Sequence, residues 1–119
     1  MTHDNILVDK SLNFAIRIVN CYKYLTENQK EFVMSKQVFR SGTSIGANVN
    51  EAIEGQSRAD FISKMSIALK EARETSYWLE LLHRTKFLED NVCKSLKNDL
   101  DEIIRTLIAS IKTTKKNGL

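Results

Sequence analysis

A chain of 119 residues carrying a net charge of +3 has room for one domain around one hydrophobic core. Proline is absent and glycine occurs only four times, which favours long uninterrupted helices and excludes a turn-rich β fold. The mild basicity is compatible with nucleic-acid binding without requiring it.

The opening residues MTHDNILVDKS lack the cationic start and continuous apolar run of a signal peptide. No apolar stretch is long enough for a bilayer, so the expectation is a cytoplasmic protein with no membrane partner. A first helix is predicted from Asp4 or Asn5, either of which suits an N-cap, to about Asn28. Its core stripe reads as Leu12, Ala15, Ile18, Val19, Tyr22 and Leu25, widened by Phe14 and Cys21. The polar run from Thr26 to Lys30 breaks it.

A second helix is predicted from Phe32 or Ser35 to about Glu54, with Gly55 as the left-handed residue that ends it. Ile45, Val49, Ala52 and Ile53 share its core face. Ser44, Asn48, Glu51 and Gly55 repeat at the same spacing on an adjoining polar face. Gly42 and Gly46 sit inside this helix although glycine disfavours helices by roughly 0.5–1 kcal/mol relative to alanine, which predicts close approach by another helix. The connection Gln56-Ser57-Arg58 is short enough to make the second and third helices antiparallel neighbours, with Ser57 as N-cap.

The third helix, about Arg58 to Thr85, carries an inward stripe of Phe61, Met65, Ala68, Ala72, Thr75, Leu79 and Leu82. A second row beside it, Lys64, Ile67, Glu71, Glu74, Trp78 and Leu81, mixes acids with a large aromatic. The fourth helix opens at Glu89-Asp90, where acids favour the positive end of the dipole. Val92 or Cys93, Leu96, Leu100, Ile103, Ile104, Leu107, Ile108 and Ile111 form its stripe. From Lys112 the sequence KTTKKNGL reads as a cationic tail that frays from about residue 113. Residues 1–119 thus read as one all-α domain, an antiparallel up-down-up-down four-helix bundle.

The run Arg40-Ser41-Gly42-Thr43-Ser44-Ile45-Gly46-Ala47-Asn48-Val49-Asn50-Glu51-Ala52 resembles a known family, the four-helix-bundle proteins of 23S ribosomal RNA intervening sequences, once labelled S23 ribosomal proteins. The similarity extends through Gly55-Gln56-Ser57, Asp60-Phe61, Ala68, Lys70 to Thr75 and Tyr77-Trp78-Leu79, and weakly into Ile111 to Thr114. The resemblance implies a ring-like homopentamer. Related proteins include the accessory subunit of diversity-generating retroelements, so RNA or DNA and a reverse transcriptase or other protein are the partners implied. No enzymatic activity comes with it.

Several constellations bear on function. Glu80-x-x-His83 has the spacing of di-iron bundle ligands, but such sites need two of these pairs and further glutamates. The only other histidine is His3, and the two cysteines, Cys21 and Cys93, show no CxxC and no Cys/His metal spacing. The expectation is therefore a solvated Glu–His pair, two buried reduced thiols, and neither metal nor cofactor. Glu71 and Glu74 have no nucleophile or phosphate-cradling loop beside them, so no catalytic residue is assigned and the protein is read as non-enzymatic. They read instead as acceptors for Arg40, Arg73 or Asn48. With Ser44, Glu51 and Trp78 they form a structural or interface motif that sets register between helices or subunits.

The cations Lys94, Lys97, Arg105, Lys112, Lys115 and Lys116 interleave with Asp99, Asp101 and Glu102. Repeated around a ring they would make a surface that attracts phosphates, and they are the candidate nucleic-acid contacts. The sequence thus points to an oligomeric nucleic-acid-binding bundle. The alternative is a protein–protein scaffold that never touches nucleic acid.

Overall fold

The computed structural model describes residues 3–117, with side chains from residue 5 onward. Four helices make up the fold: α1 His3–Glu27, α2 Met34–Ile53, α3 Arg58–Arg84 and α4 Asp90–Asn117. Each packs on its neighbour in sequence and α4 closes onto α1, while among the described residues the diagonal pairs make no close backbone approach. The result is the up-down bundle expected from four amphipathic helices and short connections, drawn out to 49 × 21 × 21 Å.

Helix α1 buries Ile18 and Leu25 of the predicted stripe, and Phe14 and Cys21 beside it, but its core line runs through Leu7 and Ser11 instead of Leu12. Leu7, Ser11, Phe14, Ile18, Cys21 and Leu25 enter the core, whereas Leu12 is 58% exposed. Ala15, Val19 and Tyr22 are half-buried at the edge. Two apolar lines of the same three-and-four spacing run side by side here, and Ser11 disguised the true one. Its hydroxyl is satisfied inside the core by the carbonyl of Leu7 at 2.5 Å.

Ser11 is buried because α2 comes very close. A Cβ added to Gly46 would meet Ser11 Oγ at 3.3 Å, and one added to Gly42 would meet Ile18 Cγ1 at 2.8 Å. The two glycines therefore serve the α1–α2 contact within one chain. Val38, Ile45, Val49 and Ala52 complete the inward face of α2, and Ile53 turns outward.

The start of α2 is held by a residue the sequence did not flag. Glu31 is 8% exposed, and its carboxylate accepts from the backbone N–H groups of Val33, Met34 and Ser35 at 3.1, 3.0 and 2.7 Å. Ser35 Oγ answers by donating to the Glu31 carbonyl at 2.8 Å. Burial pushes the Glu31 carboxyl up, but the bonds from Met34, Ser35 and Val33 outweigh it and hold the pKa below the ordinary value.

Two of the connections turn at left-handed lysines, Lys30 with φ 54° and Lys86 with φ 70°. Gly55, predicted to be left-handed, is not: no glycine has positive φ among the described residues. It is glycine because a Cβ there would meet Asp60 Oδ2 at 2.5 Å and the Ala52 carbonyl at 2.9 Å. Ser57 caps α3 as expected, accepting from Asp60 N at 3.0 Å.

The predicted stripe of α3 is buried from Met65 to Leu82, with Phe61 half-buried at its start. In α4, Cys93 rather than Val92 faces inward with Leu96, Leu100, Ile103, Leu107 and Ile111. The helix runs on to Asn117, so the described part of the predicted tail is helical, its backbone continuous beyond buried Ile111. Asn5 lies within α1, which begins at His3; the Asp4 side chain and residues 118–119 lie outside the described part.

These contacts set the expected stability of three variants. Gly42→Ala should destabilise by about 1–2 kcal/mol in urea denaturation, because crowding β-branched Ile18 outweighs the gain in helix propensity. Gly46→Ala, facing a looser contact, should be neutral within about 0.5 kcal/mol. Glu31→Gln should cost about 0.5–2 kcal/mol at neutral pH. The Glu31 pKa is lowered on folding, so its contribution is present above the ordinary glutamate pKa and fades as pH falls through the folded one. The gap between parent and variant should close over that acid range.

Candidate functional site

The outer face of α4 gathers most of the predicted phosphate contacts. Lys94, Asn98, Asp101, Arg105, Ala109, Lys112 and Lys116 follow one another at steps of three and four, directly opposite the core line. This outward line spans about 33 Å at the helical rise of about 1.5 Å per residue. All of its cations are exposed, as is Lys115 beside it.

Neighbouring helices explain why the interleaved acids do not cancel these cations. Lys10 of α1 pairs with Glu102 at 2.8 Å, and Arg17 pairs with Asp99 at 2.6 Å while donating to Ser95 Oγ at 2.9 Å. Both acids are thus turned toward α1 and neutralised there. Asp101 alone remains on the outward line. Among the described residues, Lys94, Arg105, Lys112, Lys115 and Lys116 meet no carboxylate. Lys97 differs, since it faces α3 and pairs with Glu80.

The motif residues of α2 and α3 meet in a network on the opposite side. Arg40 donates from Nη1 to both carboxylate oxygens of Glu71 at 3.3 Å and from Nη2 to Glu74. Trp78 Nε1 completes it by donating to Glu74 Oε2 at 3.0 Å. Beneath the network, the hydroxyls of Thr75 and Ser41 are hydrogen-bonded at 3.0 Å inside the core, with Thr75 donating to the Glu71 carbonyl at 2.8 Å. Glu51 is met by Lys64 at 3.4 Å.

Ser44 and Asn48 are bonded within their own helix, to the carbonyls of Arg40 at 2.6 Å and Ser44 at 2.8 Å. Asn48 is therefore not the donor to Glu71 or Glu74, and Arg73 stands exposed away from them. Partly exposed ion pairs contribute at most about 1 kcal/mol each. The network's effect is to fix the α2–α3 register through planar, forked donors.

The end of α3 holds a third group. Glu80 accepts from Arg84 Nε at 2.6 Å and from Lys97, and these hydrogen bonds lower its pKa to about 2. His83 Nε2 lies 2.5 Å from Asp90 Oδ1. Cys93, from α4, reaches the same corner, and one ligand atom each from Glu80, His83 and Cys93 lie within 4.8 Å of one another. Cys21 and Cys93 are both buried and free. Burial raises the Cys21 pKa to about 11 and moves Cys93 in the same direction, so both are thiols at neutral pH.

A four-helix bundle with small residues between α1 and α2, a forked Arg–Glu–Trp network and a cationic outer helix defines a class that can be compared with known proteins. The family model for the 23S rRNA-intervening sequence protein matches residues 3–109, and the chain belongs to that family. A crystal structure of a protein with unknown function from the S23 ribosomal protein family of Bacteroides thetaiotaomicron superposes with a TM-score of 0.92. It is 61% identical, over 93% of this chain and 99% of that one. No curated protein matches the sequence. Among the described residues, no helix is long and apolar enough to cross a membrane.

Proposed function

We propose that this protein is a non-enzymatic, self-assembling bundle of the cytoplasm that binds RNA or DNA through phosphate contacts along the outer face of α4. The observation that carries this reading is the line Lys94, Arg105, Lys112 and Lys116, with Lys115 beside it, left without carboxylate partners because Asp99 and Glu102 are occupied by α1. A row of unpaired cations about 33 Å long matches a nucleic-acid backbone and carries no base-reading device. Ring assembly, read as a homopentamer, would repeat the row on every subunit and raise avidity. Free, buried thiols fit a reducing compartment.

The surface for self-assembly in this reading is the outward flank of α1. Leu12 and Ile16 stand one helical turn apart and are 58% and 52% exposed, with half-buried Val8 and Val19 beside them. Gly42 and Gly46 are used up inside the chain, so the small residues of α2 are not free for this purpose. Leu12→Glu combined with Ile16→Glu should convert the assembly to monomers in light scattering while the helical circular dichroism persists. A parent protein that is monomeric at micromolar concentration would remove self-assembly from the proposal.

The binding test is a titration against structured RNA, duplex DNA and single strands across a salt series. Affinity should depend little on sequence, and log K should fall linearly with log salt at a slope of about −0.9 per phosphate on duplex DNA. Reversal of Lys112, Lys115 and Lys116 together to Glu should abolish binding and leave the oligomer intact, whereas Lys97→Glu should act mainly through loss of its pair with Glu80. A parent that binds none of the three at low salt hands the function to the scaffold reading. Exposed Phe32, Val33 and Tyr77 would then be the surface to examine.

A further inference from the structure

We propose that the corner between α3 and α4 is a metal site in which Glu80, His83 and Cys93 bind a divalent transition-metal ion of the zinc type. Glu80 and His83 stand three residues apart on one face of α3. Read along the sequence they lack the second ligand pair that such a site needs. The turn at left-handed Lys86 folds the first turn of α4 back against them and brings in Cys93 as a third ligand, with Asp90 beside it. Asp90 and Cys93, again three residues apart, then face Glu80 and His83 across the corner.

The geometry is close to a coordination shell. One ligand atom from each of Glu80, His83 and Cys93 lies within 4.8 Å of the other two. Ligands at about 2.0–2.3 Å from a tetrahedral zinc ion are separated from one another by roughly 3.3–3.8 Å. Closure therefore takes about 1 Å of side-chain movement, which the partly exposed Glu80 and His83 can supply through rotamer changes. The donors are one sulfur, one imidazole nitrogen and one carboxylate oxygen, a set that selects zinc-like ions over magnesium or calcium.

The surroundings fit as well. Asp90 Oδ1 at 2.5 Å from His83 Nε2 provides the carboxylate that commonly orients a metal-binding imidazole, and in the proposed site it leaves Nδ1 as the nitrogen for the ion. Lys97 and Arg84 hold the two oxygens of Glu80 without exhausting the roughly four lone-pair sites of a carboxylate. On binding, the Cys93 thiol releases its proton to solvent. The Cys93 thiolate and the Glu80 and Asp90 carboxylates then face the two charges of the ion together with the Lys97 and Arg84 cations already on Glu80. Cys93 closes the inner side of the corner and Asp90 stands at its open, solvent side.

The test uses the full chain, stripped with a chelator and titrated with Co2+. One equivalent should bind per chain, with a thiolate-to-cobalt charge-transfer absorbance in the near ultraviolet and the visible bands of a four-coordinate ion. Zn2+ should displace the cobalt and raise the midpoint of thermal unfolding. Cys93→Ser should abolish the charge-transfer absorbance, and His83→Gln should weaken Co2+ binding by at least about tenfold. Cys21→Ser, in the other buried thiol, should change neither. Circular dichroism of each variant checks that the bundle is intact, and partly exposed His83 provides a variant that leaves the core untouched. A folded parent with neither cobalt absorbance nor a Zn2+-dependent shift overturns the site, and so does an absorbance that survives Cys93→Ser.

Discussion

The close approach of α1 and α2 is the constraint to which most other features of the bundle are tied. At Gly42 and Gly46 there is no side chain between the helices, and Ile18 and Ser11 occupy the space. Rotating α1 to bring Leu12 inward would remove both from those niches. The contact thus selects the line Leu7, Ser11, Phe14, Ile18, Cys21 and Leu25 for burial and leaves Leu12 and Ile16 outside. It also fixes which flank of α1 faces α4, and with it the positions from which Lys10 and Arg17 reach across.

Those two cations decide the electrostatic character of the opposite surface. Taken alone, α4 is a mixed helix in which four acids offset part of the charge of six bases. In the bundle its acids divide by direction: Asp99 and Glu102 turn to α1, whereas Asp101 stays outside. The cations divide too, with Lys97 turned to Glu80 and the others facing water. A modest net charge becomes a one-sided field because short-range ion pairs consume one sign on the buried flanks. The Arg40–Glu71–Glu74–Trp78 network on the far side sets two carboxylates against one guanidinium, so its net charge is opposite in sign to that field.

The helix ends are handled by different means, and two of the solutions create local chemistry. Glu31 satisfies three orphan N–H groups at the start of α2 from a position before the helix, a role often taken by Ser, Thr, Asp or Asn at the cap itself. The αL turn at Lys86 satisfies the end of α3, with Phe87 N donating to the Leu82 carbonyl at 2.9 Å. The same turn is tight enough to bring Asp90 and Cys93 of α4 against Glu80 and His83. A chain reversal required for packing thereby assembles side chains of metal-ligand type.

The sequence by itself determined the helical class, the four elements and most of the core of α2, α3 and α4. Their three-and-four apolar spacing and the absence of proline admit no other regular structure. It also revealed that Gly42 and Gly46 needed a close neighbour, because glycine inside a helix is otherwise disfavoured. Only the tertiary structure decided the phase of α1, since two apolar lines of equal spacing differ solely in which one fits those glycines. Only it showed that Glu31 is a cap, because the loop that brings the carboxylate back over the N–H groups has no sequence signature. The division of the α4 charges and the meeting of Glu80 and His83 with Asp90 and Cys93 were hidden for the same reason. Pairings across helices depend on rotation and register about each axis, and a sequence pattern fixes spacing along one helix without fixing its partner.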